Sequence, residues 1–218
     1  MMIRAATNIK TKPGNMIKTQ AKPVFTVCID AGHGINTPGK CSPDRTLLEW
    51  KWNRQVALLV LDELKKRGID SRLIVTEQQD ISLSERCKRV NRISKQVGAA
   101  NCISVSIHVN AAGGDGKWHD ARGWSVFVSN NASSKSRSLA ELMYDAATEI
   151  GVKTRKPSAK QKYWVQNLAM CRDTICPAVL VENCFMDNKE DCSFLASEEG
   201  KREMAYIMTN GILNYIGK

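Results

Sequence analysis

VFTVCID, residues Val24 to Asp30, is a short run rich in β-branched and aromatic residues that gives way to Ala31 and Gly32. It has the form of a buried strand handing its C-terminal residues to a loop, so a site is expected at that end. Downstream, Glu49 to Arg67 places Val56, Leu59, Val60 and Leu64 at helical intervals and stops at Gly68, which suits the position after a helix C-terminus. Ser71 to Thr76 (SRLIVT) reads as a second strand. Ser82, with Glu85 three residues on, is a capping-box signature for a helix running to about Val97.

The alternation continues along the chain. Asn101 to His108 (NCISVSIH) is a second buried strand, Gly123 to Ser129 (GWSVFVS) another, and Ser136 to Ile150 a helix ended by Gly151. Ala178 to Glu182 (AVLVE) is a compact apolar strand behind Pro177. A last helix, Glu198 to Tyr215, carries Met204, Ile207, Met208, Gly211, Ile212 and Tyr215 on one face. Strands alternating with helices define an α/β layer architecture.

At 218 residues one sizeable domain is expected. Residues 1–23 are polar, basic and punctuated by Pro13, Gly14 and Pro23, and read as a flexible arm. The folded domain is expected over 24–218. With 43% hydrophobic and 25% charged residues the composition is that of a globular protein, which excludes disorder throughout. No stretch approaches the roughly 18 apolar residues that span a bilayer, so membrane insertion is not expected. Met1 to Lys22 lacks an apolar segment of about 7 to 15 residues, so no secretory signal peptide is read there. The eight cysteines show no CxxC pair, and several sit in apolar runs. Reduced, buried thiols are expected rather than a disulfide framework or a cysteine zinc site.

The formal net charge of +10 points to anionic partners, and residues 1–23 supply half of it through five basic residues and no acid. The remainder shows no basic stripe with interleaved aromatics, so nucleic acid is not expected, whereas an acidic cell wall fits.

Three strands end in groups that can bind or activate something: His33 just after the first, His108, and Glu182. The chain holds only three histidines. Catalytic zinc takes three ligands from His and Asp or Glu and leaves a fourth position for water, and His33, Glu49 and His108 supply such a set. Glu49 opens the first helix, where the helix dipole favours a carboxylate. Glu182 is the candidate for proton transfer, because an acid ending an apolar strand is costly to bury without a partner. By spacing alone these residues match no dense motif such as HExxH. Each also has a commoner role, as loop histidine, satisfied core histidine or helix-start charge.

Taken together, DAGHG (Asp30 to Gly34), the Glu49 helix start, SIHVNA (Ser106 to Ala111) and PAVLVENCFMDN (Pro177 to Asn188), in this order, resemble the zinc-dependent N-acetylmuramoyl-L-alanine amidases of the amidase-3 type. The resemblance runs from about Val24 to Tyr215. It implies a single α/β domain with a twisted, mostly parallel or mixed sheet of about six strands and helices on both faces. It also implies one Zn2+ ion on His33, Glu49 and His108, with Glu182 as catalytic acid/base. The implied reaction is hydrolysis of the amide between N-acetylmuramic acid and L-alanine in peptidoglycan, as a monomer. A phage lysin made in the cytoplasm, reaching the wall after release or by non-classical export, is the preferred setting.

The sequence departs from the family pattern in places. Asn183, Cys184 and Phe185 follow Glu182 where Gly-Phe is frequent, a variant resembling the phage and gut-bacterial branch, and Glu77 stands where a Thr-Arg pair often occurs. Ala112 to Arg122 is an elaborated loop carrying His119. Trp118, Tyr163 and Trp164 are aromatics in polar loops that suit either sugar stacking or anchoring, with anchoring the commoner role. Two rivals remain at this stage: a zinc peptidase acting on the peptide stem, and a wall-binding or nucleic-acid-binding module without catalysis.

Overall fold

A computed structural model describes residues 25–217, so the expected basic arm at 1–23 lies outside the described residues. Six strands form one mixed sheet: β1 (Thr26–Ala31), β2 (Asp70–Leu73), β3 (Cys102–Asn110), β4 (Ser125–Val128), β5 (Trp164–Val165) and β6 (Ala178–Phe185). They lie in the order β2-β1-β3-β6-β4-β5. β1 pairs in parallel with β2 and β3, β3 with β6, and β4 with β5, while β4 runs antiparallel to β6.

Six helices connect them: α1 (Glu49–Lys66), α2 (Leu83–Val97), α3 (Ser134–Glu149), α4 (Ala169–Arg172), α5 (Lys189–Ala196) and α6 (Glu198–Ile216). The strand pleat decides which residue meets which layer. Val27, Ile29, Ile103, Val105, Ile107, Val179 and Val181 turn into a large core beneath α1, α3 and α6. Cys28 and Cys102 turn the other way, onto Cys87 and Val90 of α2 and Met170 of α4. With helices on both faces, the central strands are buried on both sides, and this is why apolar and small residues dominate them, with Ser104 and Ser106 the small polar ones in β3. α3 and α6 approach so closely that a Cβ on Gly211 would lie 2.4 Å from Met143 Cγ.

Differences from the sequence reading have local causes. The second strand is Asp70–Leu73, not Ser71 to Thr76, because the chain leaves the sheet after Ile74 donates to the Ile29 carbonyl. β6 continues past Glu182 to Phe185, with a register shift opposite His108 and Asn110 that absorbs the extra residue. Asn183, the first residue past the expected strand end, is fully buried in that extension. β5, α4 and α5 are too short to leave a periodic pattern. Ser82 caps α2 as expected, its hydroxyl accepting from the Glu85 amide.

All eight cysteines are free thiols, seven of them buried. Tyr163 is buried, Trp118 packs partly against the core, and Trp164 stacks on Phe127 with ring centroids 6.4 Å apart. These three aromatics serve as anchors. Among the described residues, no helix is long and apolar enough to cross a membrane.

Candidate metal centre

β1 and β3 are parallel neighbours, so their C-terminal ends open at the same edge of the sheet, where the loop after β1 delivers His33 and β3 delivers His108. Gly32 is required between them: a Cβ there would lie 2.2 Å from His108 Cε1 and 2.4 Å from its Nε2. His33 adopts φ +61°, an uncommon conformation for a side-chain-bearing residue that surrounding bonds must hold. Glu49 comes from the opposite layer, at the first turn of α1, whose amide donates to the Lys40 carbonyl at 3.0 Å.

The three meet. Glu49 Oε1 lies 3.3 Å from His33 Nε2 and 3.2 Å from His108 Nδ1, and it accepts the Val109 amide at 3.0 Å. The imidazoles stand edge to face, 4.9 Å between centroids. One ligand atom from each residue lies within 4.8 Å of the others, an arrangement able to hold one cation. Burial would raise the Glu49 carboxyl, but the two imidazoles outweigh it and hold the group well below the usual carboxylate range. Its other oxygen, Oε2, is buried without a hydrogen-bond partner, the state of a donor waiting for an electrophile.

Glu182 occupies the next strand, paired in register with His108. Burial pushes its carboxyl up to about 7, Glu49 adds to the rise, and His108 and Lys40 oppose it. Oε2 of Glu182 is likewise buried and unpartnered. Asn183 fixes the rung beyond: its Nδ2 donates to the His108 carbonyl at 2.9 Å, while its Oδ1 accepts the Trp124 indole N–H at 3.2 Å.

Several site residues escaped the sequence reading. Arg86, 2% exposed, donates to Asp30 Oδ1 at 2.7 Å, to Asp80 Oδ1 at 2.8 Å and to the carbonyls of Ala31, His33 and Ile81. Ser106 Oγ donates to the other Asp30 oxygen at 2.6 Å. Arg54 donates to the carbonyls of His33, Trp50 and Glu77. Glu77 itself pairs with Arg89 at 2.7 Å, so the loop that departs from the family pattern is fixed by guanidinium groups from two helices. A cavity of about 490 Å³ opens beside the centre, lined by Gly32, His33, Leu83, Arg86 and His108 among others. His119 hydrogen-bonds Asp115 in its own loop at 2.9 Å and does not join the cation site.

A three-layer α/β protein with two histidines and a glutamate gathered at the C-terminal edge of its sheet has the build of a metal-dependent hydrolase. The sequence profile of the N-acetylmuramoyl-L-alanine amidases, Amidase_3, matches residues 27–214, and the chain belongs to that family. It is 25% identical over 186 residues to an endolysin of Bacillus phage SPP1, covering 85% of this chain but spanning only 64% of that endolysin's length. The catalytic domain of CwlV, an N-acetylmuramoyl-L-alanine amidase from Bacillus (Paenibacillus) polymyxa var. colistinus, superposes with a TM-score of 0.74 at 26% identity, covering 88% of this chain and 98% of that one. An N-acetylmuramoyl-L-alanine amidase from Clostridium difficile 630 gives 0.77 at 26% identity, with 90% and 99% covered.

Proposed function

We propose that the chain is a zinc-dependent N-acetylmuramoyl-L-alanine amidase, in which His33, Glu49 and His108 hold the ion and Glu182 is the general acid/base. The observation that carries this reading is the convergence of the three donor atoms within 4.8 Å of one another, with Glu182 one strand away on the His108 rung. Two imidazoles and a carboxylate suit zinc, whereas calcium and magnesium take oxygen donors. The unpartnered Glu49 Oε2 fits the same group. A zinc ion in this place supplies Lewis acidity, acidifying a water and polarising the scissile carbonyl.

The residues of the chain do the rest. In the metal-free chain burial holds the Glu182 carboxyl above its usual range, and its place on the His108 rung lets it take the proton of the attacking water and deliver it to the leaving amine nitrogen. Protonating that nitrogen is what lets an amide break. Val109 N–H and the two imidazoles orient Glu49, and Asn183 keeps the His108 backbone against β6. All four groups come from one chain, which supports action as a monomer at the cell wall.

The test is a digest of purified peptidoglycan by the zinc-loaded protein. Free lactyl carboxyls on muramic acid and new L-alanine amino termini are the expected products. New D-amino termini would instead assign the site to a stem peptidase, and an active protein free of transition metal would overturn the centre itself.

A further inference from the structure

Between α3 and β5 the chain runs KTRKPSAKQK, Lys153 to Lys162, with five basic residues and no acid. Lys162, the last of these, pairs with Asp145 at 2.6 Å, and Arg122 nearby pairs with Glu190 and Asp191. Lys153, Arg155, Lys156 and Lys160 make no ion pair with a described residue, and the three lysines are exposed.

The sheet fixes where this loop stands. Ser125 of β4 pairs with Glu182, and the residue before it, Trp124, exchanges backbone hydrogen bonds with the loop: Trp124 N to Lys153 O at 2.8 Å, and Arg155 N to Trp124 O at 2.7 Å. Arg155 also lies over the Phe185 ring, 4.7 Å from its centroid, at the end of the strand that carries Glu182. The loop backbone is therefore about two strand spacings, roughly 10 Å, from Glu182 along the same edge of the sheet. Across that edge the order is the cavity beside His33, the cation site, Glu182, and then the basic loop.

We propose that Lys153, Arg155, Lys156 and Lys160 bind the carboxylates of the peptide stem, so that the stem leaves the site over β6 and β4 while the muramyl sugar lies toward the cavity at Leu83. This rests on the amidase reading, and the chemistry supplies its direction. The nitrogen that Glu182 protonates belongs to the stem, so the stem is on the Glu182 side of the ion. From there a chain bearing carboxylates runs onto the four cations without turning back.

The test uses the full chain, zinc-loaded, in a Glu182→Gln background that leaves ligand intact. A soluble muramyl peptide with free stem carboxylates is titrated against the same peptide with those carboxylates amidated. The triple variant Lys153→Gln/Lys156→Gln/Lys160→Gln changes only exposed side chains, and Arg155→Gln is made separately. Each exposed charge pair contributes a factor of about 1.5 to 5, so the triple variant is expected to weaken binding of the carboxylate peptide roughly tenfold. The preference over the amidated peptide should shrink toward one and fade in about 0.5 M salt.

An unchanged preference, or equal weakening for both peptides, overturns the assignment. So does a loss confined to adsorption on intact sacculi, which would make a polyanionic wall polymer the partner. Failure of the amidase reading shows itself separately, as peptide binding without turnover by the protein that retains Glu182.

Discussion

Nη2 of Arg54 donates a hydrogen bond to the carbonyl oxygen of His33 at 3.0 Å, while Nη1 of the same guanidinium donates to the carbonyl of Trp50, the residue after Glu49. One side chain thus ties together the backbones that carry two of the three candidate ligands. Arg86 reaches the same His33 oxygen at 3.1 Å from α2.

Arg54→Ala should therefore loosen the centre more than the fold. Removing a group that orients ligands costs about 10- to 100-fold in metal affinity, and a loss of that size is expected in competition with a chromogenic chelator. Arg54→Lys, which keeps charge but cannot bridge both carbonyls, should recover little of it. Wild-type affinity in Arg54→Ala would show that the remaining bonds suffice to hold His33.

Gly32→Ala tests the packing of the two imidazoles. The new methyl would overlap the His108 ring, so His108 must move and metal binding should fall, while far-UV circular dichroism stays that of the native fold. Unchanged metal binding would mean that the ring can shift without leaving the site.

Glu182→Gln should separate activity from stability. With Glu182 as the proposed proton carrier, turnover is expected to fall by about 100- to 10,000-fold. In the metal-free protein the same change should stabilise. The folded carboxyl titrates near 7, above its usual 4.5, so the unfolded chain gives up its proton first, and stability falls as pH rises from 4.5 toward 7. Gln, which never ionises, escapes that loss. In metal-free protein at pH 8 it should gain up to about 3 kcal/mol over Glu182, shrinking to little near pH 4, as read by denaturant unfolding.

Chelation should lower the thermal midpoint. A ligand at 100 times its dissociation constant adds about 2.7 kcal/mol, or roughly 5 to 10 °C for a domain of this size. His33→Ala should abolish that shift. A midpoint indifferent to chelator in the wild type would count against a cation on these three residues.

The fold and the donor set were legible in the sequence for one reason. Strands covered on both faces carry mostly apolar and small side chains, so His33, His108 and Glu182 stand out as large polar groups where those runs end. What positions them was not legible. Arg54 and Arg86 look like ordinary charges on helix surfaces, and only the packing of α1 and α2 against the β1 loop turns them inward. The bracing role of Asn183 was not legible either, because its two partners, the His108 carbonyl and Trp124, lie 75 and 59 positions away. The role of 153–162 depends on the Trp124 pairing, and spacing along the chain carries no trace of it.

His108 and Glu182 face each other across a rung of the parallel β3–β6 ladder, half-buried at the C-terminal edge of the sheet. Their separation is set by main-chain hydrogen bonding and not by any loop. Insertions, deletions or wholesale replacement at 112–122 and 153–162 would leave that spacing alone. An engineer could graft new rims onto this chain to change what it recognises while inheriting the cation site and the Glu182 rung unaltered, and natural divergence is free to do the same.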